Sequence, residues 1–143
     1  MLLFNRTMNN DCPFCNPQQE TILWQDAHCR VLLVADADYP GYCRVIWNTH
    51  IKEMTDLAKA DRAHFMCVVF SVEAVLREAL QPTKINLASL GNQTPHLHWH
   101  VIPRYSDDAH FPNSIWSARL RGVSPRAQLD ADTLRNKLAA LLS

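Results

Sequence analysis

The sequence predicts an α+β domain: an antiparallel sheet of about five strands, one long helix packed on it and a second helix near the C-terminus. Three observations predict it. Short runs of branched and aromatic residues occur before and after one long stretch with helical spacing. That stretch stands alone instead of alternating with strands, as a parallel sheet would need. A final amphipathic segment closes the chain. With 143 residues, a hydrophobic fraction of 48% and no repeat, low-complexity tract or Ser/Gly-rich linker, residues 1–143 read as a single domain.

The elements follow in order. The first dozen residues are polar after Met1-Leu2-Leu3-Phe4 and read as loose up to Cys12. Thr21 to Trp24 and Cys29 to Ala35 read as strands bounded by Asp26-Ala27 and Asp36-Ala37-Asp38. Tyr39-Pro40-Gly41 is a turn, and Tyr42 to Trp47 a third strand. Asp61 to Leu80 places Phe65, Val68, Val69, Val72, Val75, Leu76 and Ala79 on one helix face, and Pro82 stops that helix. Lys84 to Leu90 and His96 to Arg104 read as two further strands joined by Gly91-Asn92-Gln93-Thr94-Pro95. Residues 105–126 are irregular, with Phe111, Ile115 and Trp116 expected under cover. The last helix starts near Asp130 or Asp132 as cap and buries Leu134, Leu138, Leu141 and Leu142.

Composition narrows the function. Fourteen basic residues balance fourteen acidic ones, which argues against binding long nucleic acid. No apolar run approaches a membrane span and the N-terminus does not resemble a signal peptide, so a cytoplasmic protein without a membrane anchor is expected. Five cysteines then read as reduced thiols or metal ligands. The three glycines stand apart, which excludes the Gly-rich dinucleotide and Walker-type loops. Any phosphate must be held by side chains and isolated backbone donors.

Three of the seven histidines alternate with apolar residues in His96-Leu97-His98-Trp99-His100. On a strand all three imidazoles project from one face while Leu97, Trp99 and Val101 anchor the other. At ~3.3 Å per residue the alpha carbons of His96 and His100 lie ~13 Å apart, which suits an elongated ligand better than one shared ion. Imidazole also fits phosphorus chemistry: a neutral ring offers a lone pair to phosphorus, and a protonated neighbour can steady the charge on the phosphate oxygens.

The run His96-Leu97-His98-Trp99-His100-Val101-Ile102 resembles the signature of the histidine-triad (HIT) superfamily, in which histidines alternate with apolar residues. The likeness runs from about Cys12 to Arg104, with residues 105–143 as a C-terminal extension carrying the final helix. It implies a HIT-like fold and a two-fold homodimer formed through helix and sheet. It further implies that His98 attacks the phosphorus of a nucleoside phosphoramidate, dinucleoside polyphosphate or related small nucleotide, giving a nucleotidyl-histidine that water or another acceptor resolves. In this reading the protein is a hydrolase or nucleotidyl transferase. His100 is the phosphate-side partner and His96 orients the site. Asn86 contacts ribose, and Asn92, Gln93 and Thr94 hold phosphate, with either Asn92 or Gln93 taking the part of the family's loop glutamine. A nucleotide-binding regulatory or scaffold protein with little turnover needs the same pocket and stays open, as does a small zinc protein without a nucleotide role.

Cys12-Pro13-Phe14-Cys15 has the gap that lets two thiolates share a tetrahedral ion, but it is half of a structural zinc site. A redox dithiol and a metal-free pair are the alternatives. Family branches with such a pair complete it with a histidine ahead of the long helix and the first triad histidine, which implies a structural zinc on Cys12, Cys15, His50 and His96. Cys29, Cys43 and Cys67 read as small core residues. His28, His64 and His110 read as surface histidines without partners. Arg104 reads as a distal-phosphate ligand or a solvated strand end, and Trp116 as a pocket cover, a base-stacking ring or a packed aromatic.

Overall fold

A computed structural model describes residues 9–123, 125–127 and 129–143; the loose start expected over Met1 to Met8 lies outside them. Five strands form one sheet: β1 (Thr21–Gln25), β2 (Cys29–Leu33), β3 (Cys43–Trp47), β4 (Lys84–Ala88) and β5 (His98–Arg104). Their spatial order is β1-β2-β3-β5-β4 and every pair is antiparallel. The long helix α1 (Lys59–Leu80) and the C-terminal helix α2 (Ala131–Leu141) complete the predicted class. No described helix is long and apolar enough to cross a membrane.

Alternation along the strands divides the sheet into two faces. Cys29, Val31, Cys43, Val45, Trp47 and Val101 point to one side and form the main core with Phe65, Val68, Val69, Val72, Val75 and Leu76 of α1. Each residue of that helical stripe is almost fully buried, so about 1.5–3 kcal/mol per large side chain holds helix to sheet. The helix ends where Gln81 turns left-handed, with φ of 49°, immediately before Pro82. Between β2 and β3, Gly41 has φ of 90°, and a Cβ there would meet Leu80 Cδ1 at 2.7 Å. The turn therefore needs glycine for its conformation, whereas the Leu80 side-chain tip could move aside.

Several boundaries differ from the sequence expectation. β2 stops at Leu33 because Val34 and Asp36 turn toward the hairpin, and β4 stops at Ala88. β5 begins at His98, not His96: the His96 amide bonds the Thr94 carbonyl and the Leu97 amide bonds Ile51, so both lie in a loop crossing. In α2 the Asp130 side chain accepts from the Asp132 amide, as a cap should. Leu134 and Leu138 are buried, but Leu141 is 53% exposed and Leu142 only half-buried, because the helix ends there and its last turn leaves the core.

Candidate active site

The other sheet face carries the histidines. Strand pairing sets His100 opposite Arg44 and His98 opposite Ile46, so β3 supplies the floor beside the triad. All three histidines are buried. Their environments differ sharply.

His98 stands at the centre. Its Nδ1 lies 2.6 Å from the His96 carbonyl, so Nδ1–H donates there and the lone pair resides on Nε2. Burial lowers its pKa, outweighing the His96 carbonyl, so the ring is neutral at pH 7. Phe14 packs edge-on against it at 4.9 Å between ring centroids. Ser89 donates its hydroxyl to the His98 carbonyl at 3.0 Å and fixes the peptide behind the ring.

His100 has its Nδ1 at 2.5 Å from the Tyr42 hydroxyl. With the hydroxyl as donor, the ring proton sits on Nε2. Burial first, then the charges of His98 and Arg44, push its pKa down to about 4. At neutral pH His100 is therefore an uncharged N–H donor rather than the protonated neighbour the sequence suggests. Desolvation beside a permanent cation is the reason.

His96 turns away from that pair. Its Nε2–H donates to the Trp47 carbonyl at 2.5 Å, leaving Nδ1 free to face Cys12 Sγ at 3.4 Å, Cys15 Sγ at 3.5 Å and His50 Nδ1 at 3.1 Å. Cys15 Sγ lies 3.4 Å from His50 Nδ1. Bond lengths of ~2.3 Å to sulfur and ~2.0 Å to nitrogen put the edges of a tetrahedral zinc site at about 3.5 Å for S···N and about 3.3 Å for N···N. The four donor atoms all lie within 4.8 Å of one another and fit that tetrahedron. Burial pushes His96 down to about 4 and raises the Cys15 thiol.

A cavity of about 470 Å³ opens over the two remaining histidines. Asn92, Gln93 and Thr94 line it with His98 and His100, as the loop reading expects, and Phe14, Arg44 and Trp116 complete its walls. No carboxylate lines it. Trp116 is half exposed and packs edge-on over His100 at 5.0 Å, so it is a rim of the cavity rather than a covered aromatic. Phe111 and Ile115 are only half-buried.

Other expectations are corrected. Arg104 neither reaches the cavity nor meets solvent: it is 2% exposed and is held by both oxygens of Asp108 at 2.8 and 3.0 Å, by the Asn113 carbonyl and by Asn86 Oδ1 at 2.7 Å. Asn86 shares the histidine face but does not line the cavity. Asp108, unmarked by any spacing in the sequence, also accepts from the Tyr105, His110 and Phe111 amides and the Tyr39 hydroxyl. The three partnerless histidines have partners: His64 bonds Asp26 at 2.6 Å, His28 stacks on Trp47, and His110 bonds Tyr39 at 2.6 Å. Cys67 is exposed on α1, whereas Cys29 and Cys43 are buried as expected. Sequence reasoning missed Phe14, Tyr42, Arg44 and Asp108. An arginine inside the apolar run Cys43–Trp47 was the one visible signal.

Comparison with known proteins adds four findings. A family model for the HIT domain matches residues 16–107. The crystal structure of a histidine triad protein from Bradyrhizobium japonicum has a TM-score of 0.65 and 30% identity, covering 86% of this chain and 88% of the other. A Zn-bound histidine triad family protein from Mycobacterium smegmatis gives 0.65 at 23% identity, covering 92% and 95%, a likeness of fold alone. Among curated proteins, an AP-4-A phosphorylase of Mycobacterium tuberculosis is 26% identical over 87 residues, 57% of this chain and 45% of that one. The match thus spans about half the length of the curated relative.

Proposed function

This chain belongs to the HIT domain family, and on that premise we propose that it cleaves a small nucleotide through a covalent intermediate on His98. The observation that carries the reading is the His98 Nδ1–H bond to the His96 carbonyl, which leaves Nε2 as a neutral, fixed nucleophile beside the cavity.

In the first step Nε2 forms a bond to the α-phosphorus, and the bond from phosphorus to the leaving oxygen or nitrogen breaks. The leaving group departs with the electron pair and takes a proton from solvent, which the attacking water of the second step returns. Nearby donors from the loop of Asn92, Gln93 and Thr94 hold the non-bridging oxygens as their charge grows. In the second step water adds to the phosphorus, the bond to Nε2 breaks, and a nucleoside monophosphate leaves. A dinucleoside polyphosphate is the substrate class nearest to the name of the tuberculosis relative, and a nucleoside phosphoramidate fits the same steps.

Zinc belongs to the same proposal. Cys12, Cys15, His50 and His96 would hold it in a closed four-donor site, where it supplies folding stability by tying the N-terminal loop to the entry of β5. Reduced thiols suit it, and the five cysteines are all free, in keeping with a cytoplasmic place. A two-fold dimer is part of the reading, and sedimentation velocity measures it.

The test is rapid quenching of the enzyme with adenosine phosphoramidate and with a dinucleoside tetraphosphate, followed by peptide mass spectrometry. An adenylyl group on His98 is expected, with turnover falling by at least about 10³-fold in His98→Ala. Undiminished turnover in that variant overturns the assignment.

A further inference from the structure

Three arginines stand on the histidine face of the sheet, Arg30, Arg44 and Arg104, and only two are neutralised. Arg30 is clasped by Glu20 at 2.8 Å and also donates to Asn48 Oδ1 and the Phe14 carbonyl. Arg104 is saturated by Asp108, Asn86 and the Asn113 carbonyl. Arg44 has no ion-pair partner among the described residues. Its Nε is buried with no acceptor, and the guanidinium lies over the Tyr42 ring, 5.6 Å from the centroid. A buried N–H without a partner is costly, and this one belongs to a side chain lining the cavity, where a ligand oxygen can accept from it.

The position indicates the ligand's charge. Arg44 lines the histidine cavity and also the adjoining groove of about 300 Å³, walled by Pro13, Leu32 and Val34 together with the polar Gln18, Gln19 and Glu20. With His100 uncharged and no lysine on the cavity wall, Arg44 is the one full cation lining the cavity among the described residues. Guanidinium is the side chain best matched to phosphate oxygens.

We propose that Arg44 is the phosphate-binding cation of this site, engaging phosphoryl oxygens on the His100 side of the attacked phosphorus while the groove beyond it takes the apolar end of the substrate. This inference rests on the nucleotide reading above for the identity of the ligand, but not for the presence of an anion site. Arg44 is thereby a specificity residue. It selects for charge on the phosphate, whereas the groove selects for the attached ring.

The experiment compares wild type, Arg44→Gln and Arg44→Lys by calorimetric titration with AMP, adenosine and inorganic pyrophosphate. Pyrophosphate is also followed by the shifts it causes in the His98 and His100 ring resonances. Loss of one charge-assisted contact predicts about 10- to 100-fold weaker AMP and pyrophosphate binding in Arg44→Gln, with partial recovery in Arg44→Lys and unchanged adenosine binding. Equal pyrophosphate and AMP affinity in wild type and Arg44→Gln overturns the proposal. An equal loss for adenosine also overturns it, by making Arg44 a base-stacking residue. A wild type that binds pyrophosphate through Arg44 but no nucleotide supports the anion site and removes the nucleotide reading. A wild type that binds neither removes both.

Discussion

The two ends of β5 are pinned by opposite means. At its C-terminal end Arg104 and Asp108 are 2% and 0% exposed and neutralise one another, with four Arg104 hydrogen bonds made within the chain. Just before its N-terminal end Cys12, Cys15, His50 and His96 bring four metal-binding donors together. One end carries its own counter-charge; the other, on the zinc proposal, takes one from outside. The first should therefore answer to acid and the second to chelators.

The largest expected effect is at the self-contained end. Asp108→Ala leaves the Arg104 guanidinium buried and unpaired, at a cost of about 3–5 kcal/mol and a fall in melting temperature of roughly 10 °C or more by calorimetry. A loss under about 1 kcal/mol would mean that water relieves Arg104. The same carboxyl sets the acid limb. Burial raises its pKa, but the Arg104 guanidinium and three backbone amides outweigh this and hold it far below the usual carboxylate range. A depressed folded-state value gives stability that is complete above the unfolded carboxylate pKa, ~3.9, and is lost as pH falls toward the folded value. Asp108→Asn should flatten that limb in melts recorded across acid pH.

Next in size is the metal-dependent end. Ligation contributes about 2.7 kcal/mol when free zinc stands at 100 times its Kd, so EDTA should lower wild-type stability by about that amount at such zinc levels. Cys12→Ser should start near the chelated wild type and lose little more on adding EDTA. If EDTA destabilises both proteins equally, the four donors are not the metal site. Smallest is Trp116→Ala, at the cavity rim between the two ends. A half-exposed ring contributes within about 0.5 kcal/mol to stability, while KM should rise severalfold, up to about tenfold. A change in melting temperature without a change in KM would move Trp116 from the cavity to the scaffold.

What could be read in the sequence was what has a period. The α1 stripe from Phe65 to Leu76, the strand alternation and the spacing of the three histidines repeat locally, and each appears in the fold with shifts of a few residues at its ends. Groups brought together by pairing across the sheet left no such trace. Arg44 meets His100 only because β3 and β5 are neighbours in a register set by the whole sheet. Asp108 is one acidic residue among several in a polar segment, and nothing local says that Arg104 will turn back onto it. The sequence leaves His96 between the straight row and the cysteine cluster; in the fold it stands in a loop, where the Leu97 amide bonds Ile51, and its Nδ1 faces the cysteines. Leu141 was misjudged because periodicity does not know where a helix leaves its core.

The acceptor that sets the tautomer of His98 is the main-chain oxygen of residue 96, and no substitution can delete a carbonyl. The imidazole on that same residue can be removed by a single codon change, as can the two cysteines and His50. The two halves of residue 96 are therefore inherited under different constraints: its side chain can be exchanged, while the oxygen that sets the His98 tautomer stays.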